Sequence, residues 1–109
     1  MIKVAFTETP QKLSLRLEGH AGYAEQGKDI VCASASILAY TVAQYVMEAE
    51  HNGDLASQPE IKLELGDTLI SCEPKENIQR AMQDMFSFAK MGYIVLEYNY
   101  PQYVRLIES

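Results

Sequence analysis

Positive charge is in short supply in this chain. Nine lysines and arginines stand against fifteen aspartates and glutamates, a formal net charge of −6 over 109 residues. Nucleic-acid binding usually needs a basic face, so direct binding is disfavoured; a basic protein or peptide suits the charge better. Cysteine is scarcer still. Cys32 and Cys72 lie far apart, and neither forms a common zinc-ligand spacing with His20 or His51. No metal and no cofactor is therefore expected, and both thiols are expected to be free. No apolar run approaches the roughly 18–20 residues that span a bilayer. The opening MIKVAFTETP lacks the apolar core and cleavage site of a signal peptide, so the chain is read as cytoplasmic, with no membrane partner. Neither GxxxxGK[ST] nor GxGxxG occurs, which leaves a phosphate loop without support.

What is present is a core. Apolar residues make up 48% of the chain, enough to exclude disorder and to build one domain over residues 1–109. Leu13, Leu15 and Leu17 alternate with Ser14, Arg16 and Glu18, the period of a half-buried strand, and IKVAFT before Thr9–Pro10–Gln11 reads as its neighbour. Residues 30–50 read as a helix with Asp29 as N-cap and Gly53 just past its end. Val31, Ala35, Leu38, Val42 and Val46 form its apolar stripe. IKLELGDTLISCE is a hairpin signal with Gly66–Asp67 as the turn. PKENIQRAMQDMFSFAKMG reads as a second helix closed by Gly92, and YIVLEYNY and YVRLIE as a last pair of strands around Pro101. The expected class is α+β: an antiparallel or mixed sheet packed with two helices, in the order ββ-α-ββ-α-ββ.

The stretch GHAGYAEQGKDIVCASAS, residues 19–36, concentrates the chemistry. With Asp29 as cap, Cys32 falls in the first helical turn. There the backbone N–H groups and the helix dipole favour a thiolate and offer donors to an oxyanion. An ordinary cysteine is only a few per cent thiolate at neutral pH, so a nucleophilic one needs such help. His20 is the histidine that this loop can deliver, and Gly19, Gly22 and Gly27 let the chain fold back towards Cys32. Asp29 has two open roles: cap of the helix, with a charge that opposes the dipole at the sulfur, or orienter of the imidazole. Ser36, one turn beyond Cys32, either hydrogen-bonds substrate or bonds back to the Cys32 carbonyl. Cys72 is read as structural. The tyrosines Tyr93, Tyr98, Tyr100 and Tyr103 fit a peptide groove or simply strand propensity.

These residues carry a resemblance. GHAGYA, then GKDIVCA, then a serine four residues after the cysteine resemble the motif of the ribosomal-processing cysteine protease family Prp, the YsxB-like proteins. The resemblance implies a single cysteine endopeptidase domain that removes a short N-terminal extension from a basic ribosomal protein, number twenty-seven of the large subunit, cutting after an aromatic residue. It implies His20 as general base and Cys32 as nucleophile, with Gly19, Asp29 and Ser36 in supporting positions. It also implies a homodimer and a mobile glycine loop, containing Gly22 and Gly27, that orders around substrate. The alternative is a non-catalytic acidic dimeric module that binds a basic ribosomal protein or peptide during ribosome assembly.

Overall fold

The computed structural model describes residues 1–25 and 27–107. The elements follow the order β1 (Ile2–Glu8), β2 (Leu13–Glu18), α1 (Ile30–His51), β3 (Glu60–Glu64), β4 (Asp67–Cys72), α2 (Gln79–Asn99) and β5 (Val104–Ile107), with a short 3₁₀ turn at Glu76–Ile78 before α2. The five strands form one mixed sheet in the order β3-β4-β2-β1-β5. Every pairing is antiparallel except that of β1 with β5.

Alternation sorts the two faces of the sheet. Val4, Leu15, Ile70 and Val104 are fully buried, while their chain neighbours Lys3, Arg16 and Arg105 face water. The inward set packs under the two helices. From α1 come Val31, Ala35, Val42 and Val46; from α2 come Met82, Phe86, Ala89, Tyr93 and Leu96. Phe6 meets Phe86 and Tyr93 edge-on at 6.4 and 5.9 Å, a favoured aromatic geometry. The Tyr93 hydroxyl donates to the Ala35 carbonyl at 2.8 Å, which satisfies a buried polar atom and ties α2 to α1; burial holds this phenol well above its usual ionisation range.

The α+β class, the two helices and the order ββ-α-ββ-α are as the sequence predicts, but the last strand pair is not. YIVLEYN belongs to α2, which runs on to Asn99, and a single strand follows. β-Branched and aromatic residues favour a strand on propensity, yet burial follows the helical period: Tyr93 and Leu96 are buried while Ile94, Val95 and Tyr98 are exposed. Tertiary packing overrides propensity here. Gly92 is no stop signal either. A Cβ there would lie 2.7 Å from the Leu38 side chain, so this glycine makes room for a side chain of α1 against α2. The helix ends instead before Pro101.

Two smaller differences concern the hairpin and α1. Glu64 pairs with Asp67, so the turn is Leu65–Gly66, one residue earlier than expected. Asp67 is held in β4, and Lys62 donates to its carboxylate at 2.7 Å. α1 has 22 residues and a mean hydropathy of 1.6 over an 18-residue window, long and apolar enough by length and composition to cross a membrane, contrary to the expectation that nothing in the chain approaches a span. Here its apolar stripe covers the sheet.

Candidate active site

β2 ends at Glu18, and the chain turns sharply at Gly19, whose φ of +93° is glycine territory. A Cβ at this position would collide with the Met1 carbonyl oxygen. The Gly19 N–H donates to the Gly66 carbonyl at 2.9 Å, carrying the β2–β4 ladder one step past its last pair, Glu18 with Asp67. His20 therefore leaves the sheet beside the β3–β4 turn, with its side chain exposed.

Cys32 arrives from the other side, as the third residue of α1. Asp29 starts that helix. Its backbone is extended, and Oδ1 accepts from the Cys32 N–H at 2.9 Å. The second oxygen, Oδ2, accepts from the N–H groups of Tyr23 at 3.0 Å and Ala24 at 3.3 Å. Asp29 is thus the cap, and its free oxygen ties the preceding loop to the helix start rather than gripping the imidazole. Burial works to raise its pKa, but the N–H donors of Cys32, Ala24 and Tyr23 outweigh that and hold the carboxyl below its ordinary range. One of the first-turn N–H groups expected to serve an oxyanion is therefore already engaged. The Cys32 N–H is taken by the carboxylate, and the Ala33 N–H donates to the Asp29 carbonyl at 3.0 Å.

His20 and Cys32 line one cleft of about 520 Å³, together with Asp29, Ser36, Ile30 and Leu65. Gly22 and Gly27 also border it, whereas Gly19 is not part of its lining and acts as a backbone pivot bonded to Gly66. No hydrogen bond joins the imidazole to the thiol among the described residues. The Ser36 hydroxyl makes none to the protein among them either. The back-bond of the bland reading is instead made by Ser34, to the Ile30 carbonyl at 2.7 Å. Cys32 is half-buried and a free thiol; Cys72 is also free but sits in the core, where burial pushes its thiol up to about 11. The four tyrosines do not share a groove. Tyr93 is core and Tyr98 is exposed, while Tyr100 and Tyr103 clasp Tyr23 of the loop edge-on at 5.6 and 5.2 Å. Sequence reasoning missed the contributions of Leu65 and Gly66, which lie more than thirty residues beyond Cys32 and come to the site only through the β2–β4 pairing.

A half-buried thiol at a capped helix start, sharing an apolar-walled cleft with a histidine, is an arrangement suited to acyl transfer. The cysteine protease Prp family matches residues 1–105. The chain belongs to that family. It is a cysteine protease. No curated protein sequence resembles the chain closely enough to count as a relative. Among solved structures, the protease is similar to S. aureus Prp, an essential ribosomal processing protease, bound to a covalently linked product peptide. The TM-score is 0.72 at 23% identity, covering 97% of each chain. The same S. aureus protein with a substrate peptide gives 0.69 at 22% identity over 100% of both chains. SMU.848 from Streptococcus mutans gives 0.64 at 27% identity, covering 97% of this protease and 91% of that chain. These likenesses speak to the fold; the family match carries the activity.

Proposed function

We propose that this protease removes the N-terminal extension of large-subunit ribosomal protein number twenty-seven, cutting after an aromatic residue, with Cys32 as nucleophile and His20 as general base. The observation that carries the reading is the convergence of these two side chains on one cleft from opposite sides of a glycine-rich loop. His20 takes the thiol proton as sulfur attacks the scissile carbonyl. The imidazolium then protonates the departing amine, leaving a thioester on Cys32. Water, deprotonated by His20, hydrolyses that thioester and regenerates the thiol. Ser36, with its hydroxyl uncommitted, is the donor available to substrate one turn along α1. Ile30 and Leu65, 53% and 61% exposed, give the cleft apolar walls that suit an aromatic side chain. The net charge of −6 favours encounter with a basic substrate body. The imidazole–thiol hydrogen bond forms when substrate closes the cleft, as catalytic contacts often tighten only on binding.

We place the protein in the cytoplasm, as a homodimer. An apolar groove between the helices supports the dimer: Phe88, Met91 and Val95 of α2, 59–76% exposed, line it together with Leu38 and Val42 of α1, and exposed apolar surface of this kind marks interfaces. The test is incubation with the extended ribosomal precursor, read by intact mass. The native protein trims the extension, Cys32→Ala does not, and His20→Ala is slower by about 10²–10⁴-fold. Trimming by Cys32→Ala refutes the mechanism. An untouched precursor that still binds the native protein favours the non-catalytic module.

A further inference from the structure

We propose that Gly66, in the turn between β3 and β4, is a positioning residue for the imidazole of His20. The inference rests on the reading of His20 as general base. Two contacts carry it. The Gly66 carbonyl accepts from the Gly19 N–H at 2.9 Å, which fixes the backbone one residue before the histidine. The imidazole itself lies where a side chain at position 66 would have to go: a Cβ there would sit 2.6 Å from Nε2, 2.8 Å from Cε1 and 3.4 Å from Cδ2 of His20. The far end of the ring therefore lies against bare backbone, and only glycine leaves it that room. Because His20 is exposed, no core packing otherwise limits its rotamers. The turn restricts the ring to the side of the cleft where Leu65, the adjacent turn residue, forms a wall. A base held near its working position spares the reaction the cost of finding it, and a misplacement of about 1 Å removes roughly 10²-fold in rate.

A substitution at Gly66 separates positioning from folding. The colliding atoms belong to the free end of an exposed side chain, so the ring swings aside and the fold survives. The φ of +80° at Gly66 adds backbone strain, and Gly53 supplies the matched control: its φ is +76°, and a Cβ there would meet nothing within 4 Å. Gly66→Asn is the second variant, since asparagine tolerates the left-handed region but still brings a Cβ.

The experiment measures kcat and KM on the extended precursor, the melting temperature, and the His20 Cε1–H resonance, for the full chain and its variants. Gly66→Ala and Gly66→Asn should lower kcat about 10–100-fold with KM within about threefold, and should shift the His20 resonance. Gly53→Ala should melt as low as Gly66→Ala but keep native kcat and an unshifted resonance. The double variant His20→Ala/Gly66→Ala should be no slower than His20→Ala alone, because the glycine acts through the ring. Native kcat in either folded Gly66 variant, or rate losses that multiply in the double variant, overturns the inference while leaving the dyad intact. Native kcat in His20→Ala instead overturns the general-base reading itself.

Discussion

Asp29 is the residue whose removal separates helix capping from catalysis most cleanly. Its carboxylate accepts three backbone N–H groups: Cys32 at 2.9 Å on one oxygen, Tyr23 at 3.0 Å and Ala24 at 3.3 Å on the other. Asp29→Ala removes all three. The cap loss costs about 0.5–2 kcal/mol. Tyr23 and Ala24 are exposed, so their freed amides hydrogen-bond water and add little. A loss near 1 kcal/mol lowers the melting temperature by about 4–8 °C in a domain of this size. Asp29→Asn behaves differently. Asparagine caps as well as aspartate, so its carbonyl oxygen keeps the Cys32 contact and stability is nearly unchanged. Its NH₂ then meets the Tyr23 and Ala24 N–H groups, donor against donor, and the loop is released. Cleavage should therefore fall in both variants, whereas the melting temperature falls only in Asp29→Ala. Amide hydrogen exchange by NMR provides the direct reading: Tyr23 and Ala24 lose protection in Asp29→Asn, and Cys32 keeps it. Acidification tests the same contacts. The folded-state pKa of Asp29 lies below its unfolded value, so its stabilisation is complete above the ordinary carboxylate range and is lost as pH falls through the folded value. The gap between native protein and Asp29→Ala should close on that side only. An Asp29→Asn variant that melts as low as Asp29→Ala, or keeps Tyr23 and Ala24 protected, would refute this account.

Iodoacetamide at pH 8 should label Cys32 to completion before Cys72 reacts in the folded protein. A thiol raised to about 11 by burial is ionised to roughly one part in a thousand at that pH, and equal labelling rates by peptide mapping would overturn the assignment of Cys72 to the core. Sedimentation equilibrium at micromolar concentration should return a dimer, and Met91→Glu, which charges the exposed face of α2, should return a monomer with an unchanged circular-dichroism spectrum. A native protein that sediments as a monomer would remove the dimer.

Local pattern was enough wherever local interactions decide structure. The Leu13–Leu15–Leu17 alternation is the inward face of β2, and Asp29 before an apolar helical run is the cap of α1. Pattern failed where a distant neighbour decides. Gly92 looks like a helix stop because glycine is a poor helix former. It stays helical because Leu38, 54 positions earlier in the chain, occupies the space of its absent side chain. The residues after it look like a strand by type, but α2 has an inner face to bury, and Tyr93 and Leu96 fill it one turn apart.

The site divides along the same line. Cys32 and Asp29 sit three apart on one helix start, so their relation follows from capping geometry and is readable in the sequence. His20 needed only a loop with glycines to reach the same cleft. The support of the imidazole comes from elsewhere, because a residue two positions past a strand has no local partner that fixes its side chain. The β2–β4 pairing supplies one. Its register sets Glu18 opposite Asp67, which brings the Leu65–Gly66 turn beside residues 19 and 20 whatever the turn's own sequence. Once there, the turn must leave room for a ring on one side and accept an N–H on the other, and glycine at position 66 does both. A turn that only had to reverse the chain would have tolerated asparagine or aspartate at a left-handed position. The imidazole lying against this one adds a demand that a plain reversal does not make, and glycine meets it.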